Sequence, residues 1–188
     1  MRFGIHLPQY GRAAGADAIT RAARLAEEVG FDDVWVSDHV VQPAAQDYPS
    51  PYLYDPFLTL TWAAAATTTV GLGTSVLVVP QYDPLWLANA TASLDALSGG
   101  RLRLGVGVGW SEGEFAALGK SFHDRGARTD EILEILQAAW STDPTSYRGK
   151  HYAFEEAGVQ HVVAAPWRTT ADDWLESVRR LAALLGLG

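Results

Sequence analysis

Short apolar runs alternate with stretches of helical periodicity from the first residues of this sequence onwards. Runs with the length and apolar character of buried strands lie at residues 2–7, 34–36, 70–79 and 101–108. Between them, apolar side chains recur at three- and four-residue spacing, as they do on one face of a helix. Strands that alternate with helices in this way predict a parallel sheet covered by helices.

Local signals mark the ends of several predicted helices. Asp55–Pro56 and Asp83–Pro84 each place an N-cap residue before a proline, which suits the first position of a helix. Asp17 is the expected cap of the first helix, which Gly30 ends, and the glycines after Ser98 end another. Further along, the pattern predicts helices around residues 114–118 and 127–140, a hairpin over 147–154, a strand over 159–164 and a helix over 170–185.

These elements amount to about five strand–helix units, too few for a complete barrel. An eightfold β/α barrel needs eight units and about 250 residues, whereas this chain has 188 residues. We therefore expect an α/β fold of parallel strands that forms either an open, doubly wound sheet or part of a barrel.

Composition and charge exclude several classes of function. The formal net charge is −8 and no lysine or arginine run interrupts it, which argues against a nucleic-acid partner. The absence of cysteine removes disulfides and thiolate metal sites, and the five histidines lack the spacing of a zinc-binding helix motif. No apolar run is long enough to span a bilayer, and the opening MRFGIHLP lacks the pattern of a signal peptide. We expect a cytoplasmic protein without a metal site and without a membrane or nucleic-acid partner.

Two glycine-containing stretches imitate nucleotide-binding motifs. Alternating glycines from Gly105 to Gly109 follow a predicted strand, but Trp110 stands where the dinucleotide fingerprint needs glycine. The GKS at 119–121 imitates the end of a P-loop, but Glu114 occupies the position of that motif's first glycine. The glycine-rich turn therefore either lets the backbone approach a flat ring closely or serves tight strand–helix packing.

Polar residues gather where the predicted strands end, which is where parallel α/β sheets bind ligands. Asp38 and His39 directly follow the second strand and place a carboxylate and an imidazole at that edge. Imidazole exchanges a proton near neutral pH, so His39 suits acid/base chemistry. The alternative is that Asp38 caps the following turn while His39 lies on its rim, and spacing alone does not separate the two. His6, on the first strand, fits a core residue better than a ligand.

Six segments of the sequence, taken together, resemble one known family. They are GIHLPQYG at 4–11, AARLAEEVGFDDVWVSDHV at 22–40, VGLGTSVLVVP at 70–80, DPLWLANATASLDALSGGRLRLGVGVGWSEGEFAALG at 83–119, RGARTDEILEIL at 125–136 and the arm at 140–154. In this order they resemble the luciferase-like superfamily of flavin- and deazaflavin-dependent monooxygenases and oxidoreductases. The similarity is closest to the branch that uses the deazaflavin coenzyme F-420.

The resemblance implies a TIM-barrel-like β/α fold with coenzyme F-420 at the barrel mouth, and FMN as the alternative cofactor. It makes His39 the acid/base group that helps a substrate alcohol lose hydride, with Asp38 orienting it beside the ring. Ser75–Val76 matches a position where the family often has a cis peptide bond against the ring. The residues that the resemblance assigns to cofactor binding are Asp38, Ser75, Val76, Gly107, Val108 and Gly109.

The sequence departs from the family in two places. Trp110 replaces a glutamate of the sugar-phosphate dehydrogenase branch, which argues against sugar-phosphate oxidation. After residue 154 the sequence passes almost directly to 159–188, which resembles the family's last strand and helix, so about three β/α units are missing. We expect a single domain over 1–188, of which 1–154 matches the family's N-terminal part, and a homodimer that covers the open sheet edges.

These observations favour an oxidoreductase that transfers hydride between a small organic substrate and coenzyme F-420 or FMN. A flavin-dependent monooxygenase is the alternative within enzymes. The missing units also leave open a degenerate paralogue that binds flavin or dimerises without catalysis.

Overall fold

A computed structural model describes residues 1–41, 53–141 and 145–157 of the chain. The helices are α1 (Ala16–Glu28), α2 (Pro56–Ala66), α3 (Pro84–Ser98), α4 (Glu112–Ala117) and α5 (Arg125–Ser141). The strands are β1 (Gly4–His6), β2 (Asp33–Val36), β3 (Gly71–Thr74), β4 (Leu77–Val78), β5 (Leu102–Arg103), β6 (Val106–Gly107), β7 (Thr145–Arg148) and β8 (Ala153–Ala157).

The central sheet is parallel, as the alternation of strands and helices predicts. Its order is β1-β2-β3-β5, and β4 pairs in parallel with β6 beyond it. The strands β7 and β8 form a separate antiparallel hairpin, in agreement with the arm expected there. Within the described residues the parallel strands do not close into a barrel, which fits an incomplete member of that architecture.

Two predicted strands are each divided in the structure. The run at 70–79 contains β3 and β4, separated by Ser75 and Val76, and the run at 101–108 contains β5 and β6. At the break, the Thr74 hydroxyl donates to the Gly105 carbonyl at 2.8 Å and accepts from the Gly105 amide at 3.1 Å. The Thr74 side chain thus bridges the two runs at this point, and the same two runs pair again beyond it as β4 and β6.

The aspartate–proline pairs begin helices as predicted, whereas the cap of the first helix differs. Asp55 accepts a hydrogen bond from the Leu58 amide at 2.8 Å at the start of α2, and Asp83 caps α3 in the same way. The N-cap of α1 is Gly15 rather than Asp17. The prediction for Asp17 is wrong because the helix begins earlier, which places this residue in the first turn, where acidic side chains are also favoured.

One face of the sheet forms the hydrophobic core with the helices. The side chains of this core are almost fully buried and come from both layers. They include Leu7, Ile19, Val34, Val36, Leu60, Leu72, Leu77, Leu87, Ile132 and Leu136.

The opposite face carries a single large ring that spans three strands. A side-chain carbon added at Gly4 on β1 would lie 2.0 Å from the Trp35 indole nitrogen, and one added at Gly73 on β3 would lie 2.2 Å from the same ring. Glycine on both neighbouring strands is therefore what lets the Trp35 indole lie across the sheet. Side chains alternate along a strand, so Ser37 continues this face and lies one step closer to the carboxyl ends.

Some predicted elements lie outside the described residues. These are most of the loop at 40–54, the strand at 159–164 and the helix at 170–185. None of the helices in the described part of the chain is both long and apolar enough to cross a membrane.

Candidate active site

The polar segments singled out in the sequence meet at the carboxyl ends of the parallel strands. His39 follows β2, the Ser75–Val76 peptide lies between β3 and β4, and residues 107–109 end β6. Each belongs to a different strand, and parallel pairing brings their ends to one edge of the sheet. The candidate site is therefore assembled from three connections rather than from one loop.

His39 is held by a carboxylate from a distant part of the chain. Its Nδ1 lies 3.0 Å from Oε2 of Glu114, and the two residues are 75 positions apart. The His39 side chain is 16% exposed and that of Glu114 only 2%. The histidine thus reaches the mouth of the site while its carboxylate partner is buried behind it.

Glu114 binds backbone amides as well as the imidazole. Its Oε1 accepts from the Val40 amide at 2.8 Å and from the Val41 amide at 3.4 Å. Burial by itself raises the pKa of Glu114, but His39, the Gln81 side-chain amide and the Val40 amide together outweigh burial, so the pKa is lower than usual. Glu114 is consequently an ionised carboxylate at neutral pH.

Asp38 does not orient His39, contrary to what the resemblance implies. Its Oδ2 accepts from the Val78 amide and its Oδ1 from the Tyr82 hydroxyl, both at 2.8 Å. The Asp38 carboxylate therefore points toward β4 and stabilises β4 and the turn after it, rather than the imidazole. Burial raises the pKa of Asp38 to about 6, although the two hydrogen bonds act in the opposite direction. Its direct contact with a cofactor stays a prediction.

The Ser75–Val76 peptide bond is cis, as the resemblance implies. A side-chain carbon at Gly107 would lie 2.7 Å from Cγ2 of Val76, so this glycine permits the close approach of β6 to the cis segment. Gly109 has a φ of 79° and packs against Val78 and Phe115. At both positions a side chain would clash with these neighbours, so tight packing explains why glycine is needed there.

Apolar side chains surround the mouth. Val76 is 45% exposed, Val108 42% and Trp110 56%. The Trp110 ring stands edge-on to His39, with the ring centroids 5.9 Å apart. The exposed valines offer an apolar shelf, and the partly exposed Trp110 ring lies beside the imidazole.

A second histidine lies on the first strand at the same edge. His6 Nδ1 lies 3.0 Å from the Leu7 carbonyl, and its Nε2 lies 3.0 Å from the Ser37 hydroxyl. The Gln9 side chain holds the Ser37 backbone from both sides, accepting from its amide at 2.7 Å and donating to its carbonyl at 2.8 Å. His6 is exposed rather than part of the core, so the expectation of a core residue is wrong. The His6 side chain is exposed because it lies on the face of the sheet opposite to the hydrophobic core.

Sequence reasoning missed Glu114 as a site residue, although a local signal was present. Ser111 and Glu114 have the spacing of a capping box, in which the glutamate returns to the start of its own helix. Ser111 does cap α4, accepting weakly from the Glu114 amide at 3.4 Å. The carboxylate, however, extends to His39 and Val40 instead, and only the tertiary fold reveals that destination.

Comparison with known proteins shows which family the chain belongs to. Residues 1–179 match the family model described as luciferase-like monooxygenase, which is most of the chain. The chain belongs to the luciferase-like monooxygenase family. The matched range includes His39 and the cis peptide at Ser75–Val76.

Relatives within and around the family include dehydrogenases and monooxygenases. A coenzyme F-420-dependent glucose-6-phosphate dehydrogenase of Amycolatopsis mediterranei is 35% identical over 150 residues, which cover 76% of this chain and 43% of the relative. A monooxygenase of Streptomyces bottropensis superposes with a TM-score of 0.72 at 32% identity, over 85% of this chain and 49% of that one. A coenzyme F-420-dependent secondary alcohol dehydrogenase, solved with an F-420–acetone adduct, superposes with a TM-score of 0.68 at 29% identity, over 85% and 48% of the two chains. The chain spans about half the length of these relatives.

Proposed function

We propose that this chain is an oxidoreductase that transfers hydride between a small organic substrate and coenzyme F-420, with FMN as the alternative cofactor. His39 is its acid/base group. The observation that carries the proposal is the pairing of His39 with the buried Glu114 carboxylate at 3.0 Å, at the carboxyl ends of the parallel strands. The names of the dehydrogenases to which the chain is similar support the choice of cofactor.

The residues at the mouth fit a flat, largely apolar ring. Val76 and Val108 come from neighbouring segments and expose apolar surface toward the same edge of the sheet. Gly107 brings the backbone of β6 close to Val76, so the two segments form one continuous surface on which a flat ring can lie. Ser75, Val76, Gly107, Val108 and Gly109 would hold the ring, and Asp38 would keep the segment after Val76 in place.

A bound deazaflavin or flavin supplies the centre that takes up or releases hydride. The work of the chain is to position the substrate and to move one proton. When a substrate alcohol is oxidised, Nε2 of His39 accepts the proton of the hydroxyl group, and in the reverse direction it returns that proton to the carbonyl oxygen. Glu114 balances the charge that His39 gains, and Trp110 restricts the approach of water from one side.

Substitution of His39 by alanine tests this assignment. We expect His39→Ala to bind the cofactor as the wild type does and to lose about 10²- to 10⁴-fold in turnover, because the proton acceptor is gone. The measurement is the change in deazaflavin absorbance with a panel of small secondary alcohols, with cofactor affinity determined in parallel. Unchanged turnover in a variant that still binds the cofactor would remove His39 from the proposed mechanism.

A flavin-dependent monooxygenase is the second candidate, favoured by the similarity to the Streptomyces bottropensis enzyme. Oxygen consumption in the presence of reduced FMN separates it from a dehydrogenase. A non-catalytic paralogue is the third candidate, and the half-length match to the relatives favours it. A folded protein that stays colourless when it is offered either cofactor would identify this case.

We also propose that the chain forms a homodimer. The four exposed positions of α2 are Leu58, Thr61, Trp62 and Ala65, and they lie on one face of the helix. The helix carries no charged side chain, and a surface helix that is apolar on its outer face usually packs against another surface. In a chain with a net charge of −8, such an uncharged face is where two copies approach with least repulsion.

A further inference from the structure

We propose that Glu114 is the positioning residue of this site, which fixes His39 in the tautomer that carries hydrogen on Nδ1 and leaves Nε2 as the proton acceptor. The kinetic consequence rests on the function proposed above, whereas the tautomer is a property of the protein alone. Neither residue needs a ligand in order to form the pair, because the contact exists within the chain.

The chemistry of the two partners determines which imidazole nitrogen carries hydrogen. An ionised carboxylate only accepts hydrogen bonds, so a nitrogen 3.0 Å from Oε2 of Glu114 must be a donor. In the neutral imidazole one nitrogen donates and the other accepts. With Nδ1 as the donor, Nε2 carries the lone pair that can take a proton from a substrate.

The backbone amides fix the orientation of the carboxylate. Oε1 of Glu114 receives the amide hydrogen of Val40 at 2.8 Å, which leaves Oε2 for His39. The same carboxylate thus contacts the His39 imidazole and the backbone amide of the next residue, Val40. Because Glu114 is 1% exposed, water does not compete for these contacts.

This arrangement makes glutamine at position 114 a tautomer switch. The carbonyl oxygen of the amide must remain on the Val40 and Val41 amides, since these are donors. The NH₂ group then faces Nδ1 of His39 and donates to it. His39 is forced into the other tautomer, with hydrogen on Nε2, so the nitrogen that faces the substrate can no longer accept a proton.

The position of Glu114 on α4 argues that its link to His39 has a role beyond helix stability. A capping-box glutamate ordinarily satisfies the backbone at the start of its own helix. Here Ser111 caps the helix while the glutamate reaches a residue 75 positions away. Glu112, two residues earlier in the same helix, is exposed and provides a matched control for the loss of one negative charge.

The experiment is nitrogen-15 NMR of histidine-labelled protein without cofactor, at a pH at which the imidazoles are neutral. The His39 signals are identified by their absence in His39→Gln. We expect hydrogen on Nδ1 in the wild type and in Glu114→Asp, which keeps a group that only accepts, and hydrogen on Nε2 in Glu114→Gln. Glu112→Gln is expected to match the wild type.

The same variants are then compared in turnover and in cofactor affinity. Glu114→Gln is expected to lose about 10²- to 10⁴-fold in kcat with cofactor affinity unchanged, as removal of the proton acceptor predicts. Hydrogen on Nε2 of His39 in the wild type, or an unchanged tautomer in folded Glu114→Gln, would overturn the inference. A switched tautomer with undiminished kcat would also overturn it.

The two proposals fail in different ways. If the wild type transfers no hydride, the proposed function fails, while the NMR result still decides whether Glu114 sets the tautomer. If Glu114→Gln does not fold, the wild-type and Glu114→Asp spectra carry the decision, because both are expected to show hydrogen on Nδ1.

Discussion

Two buried carboxylates lie close to His39, and their surroundings shift their pKa values in opposite directions. Asp38 is 2% exposed, and burial raises its pKa to about 6 despite two hydrogen bonds from neutral donors. Glu114 is as deeply buried, but its bond with the imidazole lowers its pKa. The neighbours account for the difference. An imidazole that can carry positive charge, with further neutral donors, favours the ionised form of Glu114. Asp38 has only an amide and a phenol as donors, and the negative charge of Glu114 raises its pKa further.

The raised pKa of Asp38 predicts a pH dependence of stability. Its pKa increases from the ordinary 3.8 to about 6 on folding, so between these values the native state holds a proton that the unfolded chain has released. The free energy of unfolding therefore falls as the pH rises through this range. At about 1.4 kcal/mol for each pKa unit, the decrease is at most about 3 kcal/mol.

Substitution of Asp38 by asparagine isolates this contribution. The asparagine side chain is uncharged at every pH, accepts from the Val78 amide through its oxygen and donates to a rotated Tyr82 hydroxyl through its NH₂. We expect the unfolding free energy of Asp38→Asn, measured in urea between about pH 4 and pH 7, to fall less than that of the wild type. Asp17→Asn, at an exposed position, is expected to retain the wild-type profile. Parallel profiles for Asp38→Asn and the wild type would contradict the assignment.

At the residue scale, the sequence predicted His39 and the strand ends that the structure brings together as the candidate site, but not the contacts that organise it. His39 is recognisable because it follows an apolar strand, which is a local pattern. The partner of His39 depends on α4 folding back over the end of β2, and spacing along the chain does not encode that approach. For the same reason the two neighbours Asp38 and His39 were expected to act together, whereas the strand geometry turns them toward different elements.

At the element scale, helix ends were more predictable than strand ends. An aspartate followed by proline specifies its own helix start, because the cap and the fixed proline φ act within one turn. The division of the run at 70–79 into β3 and β4 depends on the Thr74–Gly105 contact with a different strand. Apolar continuity alone therefore predicted one long strand where the structure has two short ones.

The outer face of α2 carries a prediction at this scale. Leu58 is 72% exposed, so replacing it by glutamate removes little packing within the chain but adds a charge to the proposed contact between copies. We expect Leu58→Glu to shift the protein toward monomer in light scattering across a range of concentrations, with thermal stability of the monomer retained. Gln137→Glu adds the same charge on an exposed position of α5 and is expected to leave the oligomeric state unchanged. A wild type that is monomeric throughout would contradict the proposed dimer.

At the scale of the whole molecule, the chain combines a candidate site with parallel strands that, over residues 1–41, 53–141 and 145–157, do not close into a barrel. The family match extends over residues 1–179, yet the chain spans about half the length of its relatives. The alternation of elements predicts the parallel sheet, and the small number of strand–helix units agrees with the open arrangement of the strands that the structure describes. How the open face of the sheet is covered depends on contacts beyond the strands described, and no local pattern specifies it.

The most direct measurement is a titration of the purified protein with coenzyme F-420 and, separately, with FMN, followed by the fluorescence of the ring. The apolar shelf of Val76 and Val108 and the close-packed glycine beneath it predict saturable binding of one of the two. The similarity to coenzyme F-420-dependent dehydrogenases favours coenzyme F-420. Saturation at one ring per chain would show that the strand ends described here build a working cofactor site. A folded protein that binds neither ring would contradict that conclusion and leave the non-catalytic paralogue as the explanation.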